Sequence, residues 1–276
     1  ERLWNAYCCS INDKTSRFSR LHIDLERLGT LEDLKRTCPA QFNLIVIANA
    51  LNEISGTSRD PLGRRVELVQ VLLDLLHPSG TLIILEPALR SVSRDLHKLR
   101  DRLLEQKICT VYSPCLHETS CPALIKEEDW CHEERPWAPP PLVSLIDQKV
   151  GFIKDALKFS YLMLRKDGRT IVTRRATIFR VVSELREMKG DKRAWLCNET
   201  GRPEVGRLDR ERSVLNASVD RWHRGAIILI DEIQWRKRGK GERRFGRIGP
   251  SSRVEIIRPV ETTINPPQVR NCRADE

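Results

Sequence analysis

Phe42–Glu53, FNLIVIANALNE, decides the fold. Phe42 to Ala48 is an apolar run, as expected of a strand buried on both faces of a parallel sheet. Asn49 to Glu53 sits just past its carboxyl end. Outward from it, residues 62–77 place Val66, Val69, Leu72, Leu73 and Leu76 at helical spacing, and His77-Pro78-Ser79-Gly80 stops that helix. Thr81 to Leu85, TLIIL, reads as a second buried strand ending on Glu86-Pro87. Residues 91–106 form a basic amphipathic helix. Upstream, Leu21 to Asp24 reads as a short strand ending on an acid, and residues 30–37 as a helix. Strands alternating with helices predict an α/β, doubly wound sheet. Ligands of such sheets bind past the carboxyl ends of the strands, where Asp24, Asn49 and Glu86 lie together with Asn52 and Glu53.

This order resembles the second part of a class I S-adenosylmethionine methyltransferase. That resemblance makes Asp24, Asn49 and Glu86 the candidate contacts for S-adenosylmethionine. The glycine-rich turn that should open such a domain is absent before Asp24, which argues against activity. No catalytic residue is assigned.

The chain has 276 residues, 40% of them hydrophobic, and a formal net charge of +10. The charge is uneven. Residues 1–150 carry a net −2 and residues 151–276 a net +12. A near-neutral front and a basic back suggest a polyanionic partner met by the back half. There is no run of 18 apolar residues, so no membrane partner is expected. Nine cysteines suit metal binding in a reducing compartment better than a disulfide scaffold.

Three of those cysteines fall within Tyr112–Trp137, YSPCLHETSCPALIKEEDWCHEERPW, and a fourth candidate is Cys197. The spacing Cys115-x5-Cys121-x9-Cys131 lacks the close pairs of most zinc sites. Three near thiolates and one distant one suit a 4Fe–4S cluster, with Cys115, Cys121, Cys131 and Cys197 as ligands. Zinc is the alternative, with His117 or His132 able to join a mixed site, and no metal is the third reading. Cys109 reads as core, Cys8 and Cys9 as buried small residues, and Cys38 and Cys272 receive no role.

Pro114-Cys115-Leu116-His117, Cys121-Pro122, Asp129-Trp130-Cys131-His132 and Lys158-Phe159-Ser160-Tyr161-Leu162 resemble the signature of one family. This is the methyltransferase-like family of mitochondrial small-ribosomal-subunit assembly proteins, with bacterial relatives. Trp195-Leu196-Cys197-Asn198 matches its later leucine–cysteine turn. The resemblance, over roughly residues 40–200, implies a methyltransferase-like fold and a cluster on those four cysteines. It implies small-subunit rRNA and ribosomal proteins as partners, with no DNA expected. It implies the mitochondrial matrix, or else a bacterial cytoplasm. Two departures stand out. Glu86-Pro87 continues into Ala88-Leu89 instead of a glycine–threonine–proline turn, and His132 is followed by Glu133 instead of phenylalanine.

Beyond the cysteines, Pro136 to Pro141 is a stiff linker. Residues 144–158 read as a helix continuing into KFSYLML. Residues 170–197 read as strands with a basic face, Arg174, Arg175, Arg180, Arg186, Lys189, Lys192 and Arg193, turned to phosphate. Gly225–Ile233 and Arg253–Ile257 read as two strands joined by a flexible basic loop, RKRGKGERRFGR. In that loop Arg236, Lys237, Arg238, Lys240, Arg243, Arg244 and Arg247 are the candidate RNA contacts, and Phe245 could stack on a base. A small β-barrel of the oligonucleotide-binding type is the expected shape there. Three regions are expected: a methyltransferase-like part at 1–108, a cluster-binding part at 109–200 and a basic β-rich extension at 201–276.

Overall fold

The computed structural model describes residues 24–25, 35–36, 41–54, 59–151, 156–237 and 244–260. Most of the expected strand at 21–24 and helix at 30–37 lies outside the described residues, as do Cys8, Cys9, Cys38, Cys272, Arg238, Lys240 and Arg243.

The fold is mixed α/β, with two mixed sheets and few helices. The first sheet holds β1 (Phe42–Ala48), β2 (Leu76–Pro87), β3 (Thr110–Ser113), β4 (Glu133–Pro136) and β5 (Ala156–Arg165). Helix α1 (Pro61–Leu75) joins β1 to β2 in parallel, and α2 (Arg90–Glu105) leads from β2 to β3. The Asp60 carboxylate caps α1 by accepting the Gly63 N–H at 2.9 Å. Val66, Leu68, Val69, Leu72, Leu73 and Leu75 of α1 are buried, and α1 and α2 touch both each other and β2. The strand order is β1-β2-β5-β3, with β4 also on β5.

Three expectations are corrected here. β1 is not buried on both faces, because Leu44 and Val46 are more than half exposed. His77–Gly80 is not a clean helix stop, since β2 begins at Leu76 and carries an irregularity across those residues. A Cβ on Gly80 would stand 2.8 Å from the Phe42 carbonyl, so only glycine lets the strands close there. The helix expected over 144–158 is shorter. It is α3 (Pro141–Val150), ended by Gly151 in the left-handed region at φ 74°. KFSYLML is part of strand β5, and its burial alternates with the two-residue period of a strand.

The register of β5 sets the site. β2 pairs with Phe159–Leu164 on one edge. On the other edge β3 pairs with Met163–Arg165 and β4 with Ala156–Phe159. β3 and β4 therefore lie end to end, with a gap opposite Ser160–Leu162. The segment 114–132, which carries three cysteines, leaves the sheet through that gap.

The second sheet comprises β6 (Ile178–Val181), β7 (Arg186–Met188), β8 (Asp191–Cys197), β9 (Glu204–Leu208), β10 (Ile227–Ile230), β11 (Gln234–Lys237), β12 (Arg244–Arg247) and β13 (Val254–Arg258). Its order is β11-β12-β9-β8-β6-β10-β13, with β7 on β8. The two end strands are not paired with each other among the described residues, so the sheet is open along that edge. The sheet also starts at Ile178, ahead of the boundary expected at residue 200. RKRGKGERRFGR is not simply a loop between strands. Its ends are β11 and β12, paired Arg236 with Phe245 and Lys237 with Arg244.

Each sheet has its own core. Leu82, Ile84, Leu99, Leu103 and Leu162 belong to one, and Phe179, Leu196, Val205, Trp222 and Ile228 to the other. A small cluster of Leu116, Ile178 and Ile227 joins the cysteine segment to the second sheet. Among the described residues, no helix is long and apolar enough to cross a membrane. Ile84, fully buried in β2, tests the first core. Ile84→Ala should lower unfolding free energy by about 2–5 kcal/mol in denaturant titration. A loss under about 1 kcal/mol contradicts this packing.

Candidate metal centre

Cys115, Cys121, Cys131 and Cys197 line one small, largely apolar cavity of about 40 Å³. Three come from the segment between β3 and β4, and the fourth ends β8 in the other sheet. His97, His117, His132, Glu133, Tyr161, Leu162 and Arg202 complete much of the wall. Tyr161 and Leu162 are the residues of β5 that face the gap between β3 and β4.

Helix α2 holds the cysteine segment in place. The Arg94 guanidinium donates to the carbonyls of Ala123, Lys126 and Asp129 at 3.0, 2.6 and 2.7 Å. The buried Arg100 donates to the carbonyls of His117 and Thr119 at 2.5 and 2.9 Å and pairs with Asp101. Asp101 in turn accepts the Cys121 N–H at 2.8 Å, and His97 Nε2 accepts the Cys131 N–H at 3.1 Å. From β5, the Ser160 hydroxyl donates to the Cys131 carbonyl at 3.2 Å. The sequence reading gave α2 only a basic amphipathic character. The signal was there: Arg94, His97, Arg100 and Asp101 fall on one face at three- and four-residue steps.

Arg180 of β6 crosses to the first sheet. It is buried, pairs with Glu133 of β4, and donates to the Tyr161 hydroxyl at 3.3 Å. Cys197 sits opposite Arg180 in the β6–β8 ladder. One strand register therefore delivers both the bridging cation and the fourth thiol.

Burial dominates the titration of the site. It pushes the Cys121 thiol up to about 12, with Cys115 and Cys131 adding to the shift. It raises Cys131 as well, and lifts Cys197 well above the ordinary thiol range. Burial, then the charge of Arg100, lowers His117 to about 4, and burial with Arg224 does the same to His132. His97 falls to about 3 through burial and then Arg100. The histidines are neutral at ordinary pH. Cys197 Sγ lies 3.7 Å from His117 Nε2.

Four thiols on one wall are the donor chemistry of a soft metal. Among the described residues, no group of three Cys, His, Asp or Glu is arranged to hold a metal ion.

Of the three candidate S-adenosylmethionine contacts, Asn49 and Glu86 lie side by side past the ends of β1 and β2, where the Asn49 N–H donates to the Leu85 carbonyl at 2.8 Å. Asp24 and Asn49 are exposed. Glu86 is buried and accepts the N–H groups of Leu51 and Ala50 at 2.9 and 3.2 Å, fastening the turn after β1. It lines a separate cavity of about 230 Å³ with Asn52, Arg65 and Asp95.

The expected basic face is largely spent on the protein's own carboxylates. Arg174 pairs with Glu118, Arg186 with Glu204, Lys192 with Asp220 and Arg193 with Asp191. Arg175 and Lys189 are exposed. Arg247 is held by both oxygens of Asp191, at 2.8 and 3.0 Å. Phe245 is buried, with the guanidinium groups of Arg193 and Arg247 lying 4.8 and 4.5 Å from its ring centroid, which corrects its expected role as a base stacker. Arg236 is exposed on β11, while for Lys237 and Arg244 only the backbone pairing is described.

Architecture and site thus define a class: a mixed α/β protein whose two sheets close on a buried four-cysteine cavity. The chain belongs to the family described as mitochondrial small ribosomal subunit Rsm22, whose pattern it matches over residues 10–208. No curated protein matches it. Two solved structures are similar over short spans. One, a murine DNA binding protein bound with double-stranded DNA, shares 19% identity over 32% of this chain and 42% of that one, at a TM-score of 0.23. The other, the tetrameric p202 HIN2, shares 16% identity over 29% of this chain and 39% of that one, at a TM-score of 0.24. The chain spans about two fifths of each, and at these scores the likeness bears on neither fold nor function.

Two substitutions test this geometry. Arg100→Met leaves Asp101 and two carbonyls without their buried partner and should cost about 3–5 kcal/mol in denaturant titration. Its amides near 117–121 should lose hydrogen-exchange protection, and unchanged protection refutes the clamp. Glu86 has a pKa raised by burial, against the pull of its backbone donors and Arg65. A raised carboxyl makes the folded state bind its proton more tightly. Its stabilising contribution is complete below about pH 4.5 and is lost as pH rises through the folded value. Glu86→Gln keeps an acceptor for both N–H groups without the charge. Relative to the variant, the wild type should weaken as pH rises from 4 to 7. Parallel denaturation midpoints across that range overturn the assignment.

Proposed function

We propose that this chain is an iron–sulfur protein of the mitochondrial matrix that binds small-subunit rRNA and ribosomal proteins and assists assembly of the small ribosomal subunit. The observation that carries the reading is the convergence of four cysteines, three from the segment between β3 and β4 and one from the end of β8, on one cavity in a chain of the Rsm22 family. Cys115, Cys121, Cys131 and Cys197 would hold a 4Fe–4S cluster. When bound, the cluster supplies metal–thiolate bonds that tie the segment between β3 and β4 to the end of β8. The chain's own residues do the rest. Arg100, Arg180 and Arg202 offset the charge of thiolates in a buried place. Ser160, His97 and Asp101 hold the backbone of Cys131 and Cys121.

Further support comes from topology. A parallel β1–β2 pair joined through α1, with α2 leading on to β3, is the connectivity of half a doubly wound sheet. We read it as a methyltransferase-like platform. The glycine-rich turn missing before Asp24, and a Glu86 carboxylate taken up by the Ala50 and Leu51 N–H groups, favour a binding role for it over methyl transfer. The net +12 of residues 151–276 favours a polyanion as partner.

Anaerobic purification followed by iron, sulfide and zinc analysis is the test. The wild-type chain should carry about four irons and four sulfides. Cys121→Ser should lose most of both and bind small-subunit rRNA at least about tenfold more weakly, because metal binding and local folding are coupled. One zinc and no iron refutes the cluster. Unchanged rRNA affinity in the metal-free chain refutes its link to RNA binding.

A further inference from the structure

An open groove of about 920 Å³ runs between the cysteine segment and the second sheet. Trp195 of β8 and Trp235 of β11 line it, with Ile125 and Lys126 on one side and Arg186 and Arg202 on another. Arg202 and Pro122 also line the cysteine cavity, so the two spaces share a wall.

The floor is aromatic. Trp235 is 44% exposed, a large apolar area to leave in water. It lies opposite Gly246 in the β11–β12 ladder, where a Cβ would stand 3.3 Å from ring atom Cζ3 and closer still to Ile233 and Val205. The bare glycine gives the indole its seat. The Arg202 guanidinium lies 5.7 Å from the Trp195 ring centroid.

The floor is also close to electroneutral. Arg186 pairs with Glu204, and Arg202 with Asp129 at 3.1 Å. Asp231, also in the lining, accepts the Arg253 backbone N–H at 2.8 Å, and its charge is offset by that of Lys126 elsewhere in the lining. Cations also reach the groove. Lys126 is in the lining, and Arg175 is exposed just before the lining residues Ala176 and Thr177, whereas Arg236, next to Trp235 on β11, turns to the opposite face of the strand. A charge-balanced floor with exposed indole takes flat bases, and Lys126 and Arg175 can take phosphates. A duplex hides its base faces, whereas a single strand presents them.

We propose that this groove binds a single-stranded stretch of RNA, with Trp235 stacking on a base and Lys126 and Arg175 meeting the backbone. The proposal rests on the rRNA-binding reading above and locates it beside the cysteine cavity.

The test measures binding of the full, anaerobically purified chain to oligouridylate of about ten nucleotides and to an RNA duplex of the same length, at fixed salt. The single strand should bind more tightly. Trp235→Ala should weaken it about 5- to 150-fold, the worth of one stacked base. Trp235→Phe, which keeps a ring, should stay within about threefold of wild type. Wild-type affinity in Trp235→Ala overturns the groove while leaving RNA binding intact, and is the result expected if the groove instead takes a protein segment. Duplex bound as tightly as single strand overturns it too. Failure to bind either RNA overturns the rRNA reading itself along with the groove.

Discussion

The buried ion pair between Arg180 and Glu133 is the interaction on which the arrangement depends. Arg180 is 4% exposed and Glu133 2%. Burial works against the Arg180 charge, but Tyr161 and Glu133 outweigh it and raise its pKa. Two charges removed from water are costly to separate, because either one left alone is an uncompensated charge in a poor solvent. The pair therefore specifies how the sheets meet more than it adds to stability. Glu133 opens β4 in one sheet and Arg180 sits in β6 of the other. Fixing that contact fixes the place of Cys197, its neighbour across the β6–β8 ladder.

The cysteine segment has little regular structure of its own beyond a short 3-10 turn at Pro122–Leu124. Side chains from elsewhere supply the hydrogen bonds that its backbone cannot make internally. Arg94 and Arg100 satisfy six carbonyls between residues 117 and 129, and Asp101 and His97 take the N–H groups of two of the cysteines. An irregular segment buried in this way must have such partners, because unpaired backbone groups away from water are expensive. The outcome is a preformed wall of thiols beside neutral histidines, with guanidinium groups close enough to matter electrostatically.

Much of the first sheet was legible because its signals are local. FNLIVIA and TLIIL are β1 and the body of β2, and the helical spacing between them is α1. The grouping of the four cysteines was legible through the rarity of thiols and the family signature. KFSYLML was misassigned because an apolar run with aromatics fits a helix face or a strand, and only its pairing with β2, β3 and β4 selects the strand. The basic residues were read as a surface for phosphate. Asp191, Glu133, Glu204 and Asp220 neutralise many of them, and nothing in the chain order announces those pairings. Arg193 and Arg247 are far apart in sequence, yet both meet Asp191 and both lie near the Phe245 ring.

The sequence by itself determined which segments are apolar enough to be strands, where α1 begins, which four cysteines belong together, and that positive charge gathers in the back half. These follow from composition and short-range periodicity, which act within a few residues along the chain. The tertiary structure decided that β3 and β4 share one edge of β5 and leave a gap for the cysteine segment. It also decided that α2 clamps that segment, that Phe245 is buried while Trp235 is exposed, and which arginines remain to meet a partner. Those outcomes depend on register and on ion pairs between residues tens of positions apart, and such contacts exist only once the two sheets have met.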